Sequence, residues 1–293
     1  MRKSLSTAML VAAGAVVGFS LAATRTPSQA QASRISRASD GHPNLSGIWQ
    51  AMNSAHWDLE DHAARQGPLI ALGGAYSVPQ GVGVVDGGTI PYRPEALAKK
   101  KENYARSVAL LTRAAKEETG PRIAMEDYHV FDPEIPCYLP GVPRATYMPY
   151  PFQIVQSPET VLISYEYDNA SRIVRMNSKE EAPTDSWMGW SRGRWEGETL
   201  VIDVTALREE TWFDRAGNFH SDALHVVERY TPIDNDHLNY EATIEDPRVF
   251  TRPWKISMPL YRRVESLAQL GEYLCVEFAS ELLYAQYSKQ EGK

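Results

Sequence analysis

Asp214, Arg215, His220 and Glu228 are the residues of this chain whose types and spacing best suit chemistry. An imidazole or a carboxylate can take and return a proton, and a guanidinium can stabilise the negative charge that proton removal creates. The expected assignment is therefore proton transfer. His220 or Glu228 would act as base, Asp214 would orient the histidine, and Arg215 would face the developing charge. Trp187, Trp190, Trp212, Tyr165 and Tyr230 surround this set in sequence and would line the pocket. Tryptophan and tyrosine combine apolar area with a hydrogen-bonding edge, which suits a partly polar organic ligand.

Each assignment has a plainer alternative. In Leu224 to Thr231 strict alternation puts Leu224, Val226, Glu228 and Tyr230 on one face and His225, Val227, Arg229 and Thr231 on the other. The first face is the more apolar and points to the core. A carboxylate there must be paired or pushed toward neutrality, so Glu228 is either a tuned acid–base group or half of an ion pair with Arg194 or Arg252. His220 sits in Asn218-Phe219-His220-Ser221-Asp222, where it is either a loop-borne base or a turn cap. Asp214-Arg215 followed by Gly217-Asn218 is first of all a turn. The aromatic residues, taken singly, also serve as core.

Other chemistries fit less well. His220 and His225 would lie on opposite faces of a strand, and no H-E-x-x-H occurs, so no metal is expected. Ser191 sits one place off a G-x-S-x-G elbow. Gly73-Gly74 and Gly81-Val82-Gly83 lack the strand–loop–helix setting of a nucleotide site, so no organic cofactor is expected either.

The elements that must position these groups are mostly strands. Asn44 to Gln50, entered through a turn, Phe152 to Gln156, Thr160 to Tyr167 and Arg172 to Met176 read as strands. Arg194 to Glu196 and Thr199 to Val204 flank the turn Gly197-Glu198. Leu224 to Thr231 and Leu238 to Glu245 flank a second turn, and Lys255 to Arg262 and Glu272 to Phe278 complete the set. This predicts a mainly β protein. An antiparallel meander closing into a calycin- or lipocalin-like barrel is the first choice, and a β-sandwich is the alternative. One helix opens at Pro94, carries Ala96, Leu97, Tyr104, Val108 and Leu111 as its apolar stripe, and stops at Gly120-Pro121. Gly67 to Pro94 reads as a long Gly/Pro-rich loop.

The N-terminus carries an address. Arg2 and Lys3 precede the apolar run Ala8 to Ala23, and Ala30-Gln31-Ala32 is a small-residue cleavage pattern. Residues 1–32 are thus expected to be a Sec-type signal peptide, and 33–293 one mature β-rich domain, with a helix-containing N-terminal part over about 45–148 and a β-barrel part over about 149–280. The address would be periplasmic or secreted. In that compartment Cys137 and Cys275, the two cysteines of the chain, either pair or stay as buried thiols; a bridge would contribute about 4 kcal/mol in the chain-entropy account. The net charge of −7, with Lys99-Lys100-Lys101 as the one short basic run, argues against nucleic acid. No later stretch is long and apolar enough to span a membrane.

Asp40-Gly41-His42-Pro43-Asn44-Leu45-Ser46-Gly47-Ile48-Trp49 resembles the start of a family of exported bacterial proteins. Cys137-Tyr138-Leu139-Pro140-Gly141-Val142-Pro143-Arg144, Gly193-Arg194-Trp195-Glu196-Gly197 and His220-Ser221-Asp222-Ala223-Leu224-His225 resemble its recurring segments. The resemblance covers about 40–278. It implies one mature domain and an exported address, and it transfers no catalytic residue. The function expected is an exported, cofactor-independent lyase, isomerase or hydrolase acting on a small aromatic or terpenoid-like compound. A non-catalytic binder of such a compound and a structural envelope protein are the alternatives.

Overall fold

A computed structural model describes residues 35–66, 77–116 and 131–277. The expected signal peptide, the first part of the Gly/Pro-rich loop, the helix stop at Gly120-Pro121 and Phe278 lie outside the described residues.

The protein is mainly β. Among the described residues nine strands run β1 (Gly47–Ala51), β2 (Phe152–Gln156), β3 (Thr160–Tyr165), β4 (Ser171–Met176), β5 (Trp190–Glu196), β6 (Thr199–Thr205), β7 (His225–Pro232), β8 (His237–Glu245) and β9 (Trp254–Arg262). They pair in sequence order, and β9 returns to β1 through Trp49↔Arg262 and Ala51↔Leu260, closing a barrel. Closure leaves the sheet without an exposed edge. The helices among the described residues are α1 (Pro94–Lys116) and α2 (Arg144–Tyr147).

Alternation fixes which side chains enter the barrel. Val161, Ile163 and Tyr165 of β3, Val226, Glu228 and Tyr230 of β7, and Trp254, Ile256, Met258 and Leu260 of β9 are buried at every second position. The β5–β6 turn bends at Gly197, whose φ of +61° suits a residue without a Cβ.

Three expectations are corrected. The barrel is not antiparallel throughout, because β4 and β5 pair in parallel through Val174↔Ser191 and Met176↔Gly193. The connection 177–189 travels back along the barrel before β5 starts, and a parallel pair needs a crossover of that length. A Cβ on Gly193 would stand 2.5 Å from Met176 Sδ and 2.7 Å from Val174 Cγ1, so only glycine fits opposite these inward side chains. The expected strand Glu272 to Phe278 is replaced, over its described part, by a single bridge of Tyr273 to Tyr167. In α1 Ala96 is buried but Leu97 is exposed; the helix instead lays Asn103 and its backbone against Gly217.

The pairing gives the barrel two unlike rims. At one rim are short turns, 157–159, 197–198 and 233–236. At the other lie the 52–151 connection, the β3–β4 turn, the end of the 177–189 crossover, the β6–β7 connection and the 246–253 loop. Long connections over a closed barrel are the usual carriers of function.

Candidate functional site

Inside the barrel, Arg172 of β4 meets Glu228 of β7. Arg172 Nη1 donates to Glu228 Oε2 at 2.6 Å and Nη2 to Oε1 at 3.0 Å. The Tyr230 and Tyr240 hydroxyls donate to the same Oε1 at 3.1 and 2.9 Å. Arg172 Nε donates to the Tyr165 hydroxyl at 3.0 Å, and Thr146 lies 3.4 Å from the Tyr230 hydroxyl. Burial would lower the Arg172 pKa, but Glu228 beside it holds it well above the usual arginine range. The partner of Glu228 is therefore neither Arg194, which pairs with Glu196, nor Arg252, which donates to the Pro253 carbonyl. Both carboxylate oxygens are already engaged. This set rigidifies the barrel interior.

The open rim carries a second polar cluster. The loop after β1 supplies His56, Trp57 and Asp58. The segment before α2 supplies Asp132 and Glu134, and α2 supplies Arg144. The β6–β7 connection supplies Asp214 and Arg215. Arg215 Nε and Nη2 each donate to the Glu134 carboxylate at 2.7 Å. Arg144 grips Asp132 with two bonds, at 2.8 and 3.0 Å, and reaches Glu134 Oε2 at 3.2 Å. The Arg215 guanidinium lies 4.3 Å above the Trp57 ring. Two cations thus face two carboxylates.

His56 sits beneath this group, 2 % exposed. Its Nε2 lies 3.1 Å from Glu134 Oε2, although the contact is off the N–H axis and is not an aligned hydrogen bond. Its Nδ1 has no hydrogen-bond partner among the described residues. Burial pushes the imidazole down to about 4, against the pull of Glu134, while Arg215 and Arg144 add to the fall. The ring is therefore neutral at physiological pH. A carboxylate facing Nε2 favours the proton there and leaves the Nδ1 lone pair open. Burial would raise Glu134, but Arg215 and His56 hold it well below the ordinary carboxylate range.

Asp214 ties this cluster together. Its carboxyl group accepts from the Leu59 and Ala216 amides at 2.9 Å, and from the Asn218 amide at 3.2 Å and side chain at 2.5 Å. Burial, with Asp58 beside it, raises its pKa to about 7. The expected Asp214–His220 pair is not formed. His220 Nε2 meets Thr211 Oγ1 at 2.6 Å and Nδ1 meets the Ser221 carbonyl at 2.8 Å, so the ring holds its own turn, and burial lowers its pKa. Asp246 accepts from the Ser221 amide and hydroxyl.

The remaining expected residues are dispersed. His225 faces outward against Asp203 at 3.0 Å. Tyr165 and Tyr230 belong to the interior network. Trp212 is core, bridged to Phe219. Trp190 lies under Arg175 at 3.7 Å and donates to the Glu180 carbonyl. Trp187 is half-buried and tilts against Tyr138 at 4.5 Å, beside the turn that carries Glu134. So the polar cluster takes in Asp214 and Arg215, with Trp187 at its border; His220 lies on the same rim but outside the cluster, and Glu228 lies inside the barrel. Sequence reasoning missed His56, Glu134, Arg144 and Arg172. A histidine, a tryptophan and two acids within Ala55-His56-Trp57-Asp58-Leu59-Glu60 were the available signal.

Cys137 and Cys275 form a disulfide. It pins the Glu134 turn near the β3–β4 connection, where Tyr167 approaches both Cys275 and the Glu134 carbonyl at 3.5 Å. Among the described residues, no group of three or more histidine, cysteine or acidic side chains is placed to hold a metal ion, and no helix is long and apolar enough to cross a membrane. No family model matches the chain, and no curated protein matches it.

Proposed function

We propose that this chain is an exported enzyme that moves a proton on a small aromatic or terpenoid-like compound without an organic cofactor, in the manner of a lyase, isomerase or hydrolase. The observation that carries the reading is His56: a buried neutral imidazole with a carboxylate at one nitrogen and, among the described residues, no hydrogen-bond partner at the other. That is the state a general base needs before it acts. His56 takes the base role in place of His220 and Glu228, whose polar atoms are engaged elsewhere. Arg215, 36 % exposed at the side chain and bound to the Glu134 carboxylate that also contacts His56, takes the role of facing the charge that develops on the substrate. Trp57 lies under its guanidinium. The disulfide is compatible with the periplasmic or extracellular address that the Arg2–Ala32 pattern suggests.

The test is a thermal-shift screen of the mature protein against small aromatic and isoprenoid compounds, followed by mass spectrometry of each hit. A stabilising compound that changes in mass or isomeric form supports the reading. Stabilising compounds that persist unchanged overturn it in favour of a binding protein.

A further inference from the structure

We propose that Asp214 is the positioning residue of the His56 centre, acting as a bracket that sets the imidazole beneath Arg215. The inference rests on the proton-transfer reading for its catalytic meaning, but the geometry stands apart from it. Besides the stacking of Arg215 on Trp57, two hydrogen bonds join the loop after β1 to the β6–β7 connection. The Arg215 amide donates to the His56 carbonyl at 3.0 Å, and the Leu59 amide donates to Asp214 Oδ2 at 2.9 Å. Asp214 is adjacent to Arg215, and Leu59 follows His56 by three residues, so both contacts act on the backbone that bears the two functional side chains. The other oxygen of Asp214, Oδ1, accepts the Ala216 and Asn218 amides, which fixes the turn presenting Arg215. Asn218 reinforces the bracket from outside, because Tyr92 of the 77–93 segment donates to its side-chain oxygen at 2.9 Å.

The chemistry of the bracket is specific to a carboxyl group. All four of its contacts are N–H donors. An amide in its place keeps the volume but turns an NH2 toward donors on one side. The bracket then opens on either the Leu59 side or the turn side. The charged and titratable groups around it are Asp58, Lys100, Tyr92 and Tyr147; the Tyr147 hydroxyl donates to the Phe213 carbonyl at 2.8 Å, and Lys100 is held by Glu60 at 2.9 Å.

The experiment is an NMR titration of His56 in the full mature protein, carried out on wild type and Asp214→Asn. In the wild type His56 titrates near 4. In Asp214→Asn the loop rises, water reaches the ring, and the titration moves at least one unit toward 6.5, a tenfold change in proton affinity. A variant that melts earlier while His56 titrates as in wild type overturns the proposal, because a purely structural residue would do only that. Tyr92→Phe serves if Asp214→Asn does not fold. It removes the hydroxyl that Asn218 and the Phe219 backbone hold, and shifts His56 the same way by a smaller amount; an unmoved His56 there overturns the proposal too. The titration needs no substrate. A shifted His56 in a protein that turns nothing over keeps the bracket and sinks the enzyme.

Discussion

At the scale of single residues, the buried ionisable groups pull stability in opposite directions with pH. His56 titrates near 4 in the fold and near 6.5 when unfolded. Between those values the unfolded chain binds a proton that the native state refuses, so stability falls as the pH drops from 6.5 to 4, by about 3 kcal/mol in all. Glu134, held low, loses its contribution in the same direction below the usual carboxylate range. Asp214 works the other way. Its folded pKa of about 7 lies above the unfolded value, so its contribution is fully present below about 4 and is lost as the pH rises to 7. The two windows overlap between pH 4 and 6.5 and largely offset each other, so urea unfolding should show little slope there in wild type, stability that falls with rising pH in His56→Asn and stability that rises with pH in Asp214→Asn. Glu228 makes a different prediction. Removing it alone leaves Arg172 buried and unpaired, and Glu228→Leu should lose about 3–5 kcal/mol. The double variant Arg172→Met with Glu228→Leu should lose less than Glu228→Leu alone, as a double-mutant cycle by denaturant titration will show.

At the scale of elements, the 211–222 connection depends on a neighbour that its own sequence does not reveal. Gly141, at φ +72°, sits where a Cβ would stand 2.8 Å from Thr211. Thr211 in turn holds His220. Gly141→Ala adds both backbone strain and a clash, and should destabilise the protein by about 1–3 kcal/mol. Hydrogen exchange should place the loosening at 211–222 and leave β7 and β8 protected. The same dependence explains what could be read from sequence. Strands β3, β7 and β9 were legible because a closed barrel with a packed interior imposes a period of two, and Glu228 was correctly turned inward by it. The direction of β5 against β4 was not legible, since alternation looks the same in parallel and antiparallel pairs. Arg172 was not seen as the partner of Glu228 because the two meet across the barrel interior, from strands that are not neighbours. His56 and Glu134 escaped for a like reason: each is ordinary in its own segment, and only the rim brings them together.

At the scale of the whole molecule, the barrel has a quiet rim of short turns and a working rim of long connections. The disulfide belongs to the working rim, where it closes a separation of 138 residues and holds the turn that bears Glu134. Cys275→Ser should lower stability by about 2–4 kcal/mol. It should also free the Glu134 turn, so amides of 131–138 should exchange faster than those of the barrel wall in hydrogen-exchange mass spectrometry. The interior network of Arg172, Glu228 and the three tyrosines makes the barrel a rigid base, and the loops above it carry the candidate chemistry. The most direct test of that division compares wild type with His56→Asn on a compound that the wild type converts. The account predicts equal thermal shifts on binding and a turnover lower by about a hundredfold or more in the variant, the loss expected for a missing general base. Turnover at the wild-type rate in His56→Asn would contradict it.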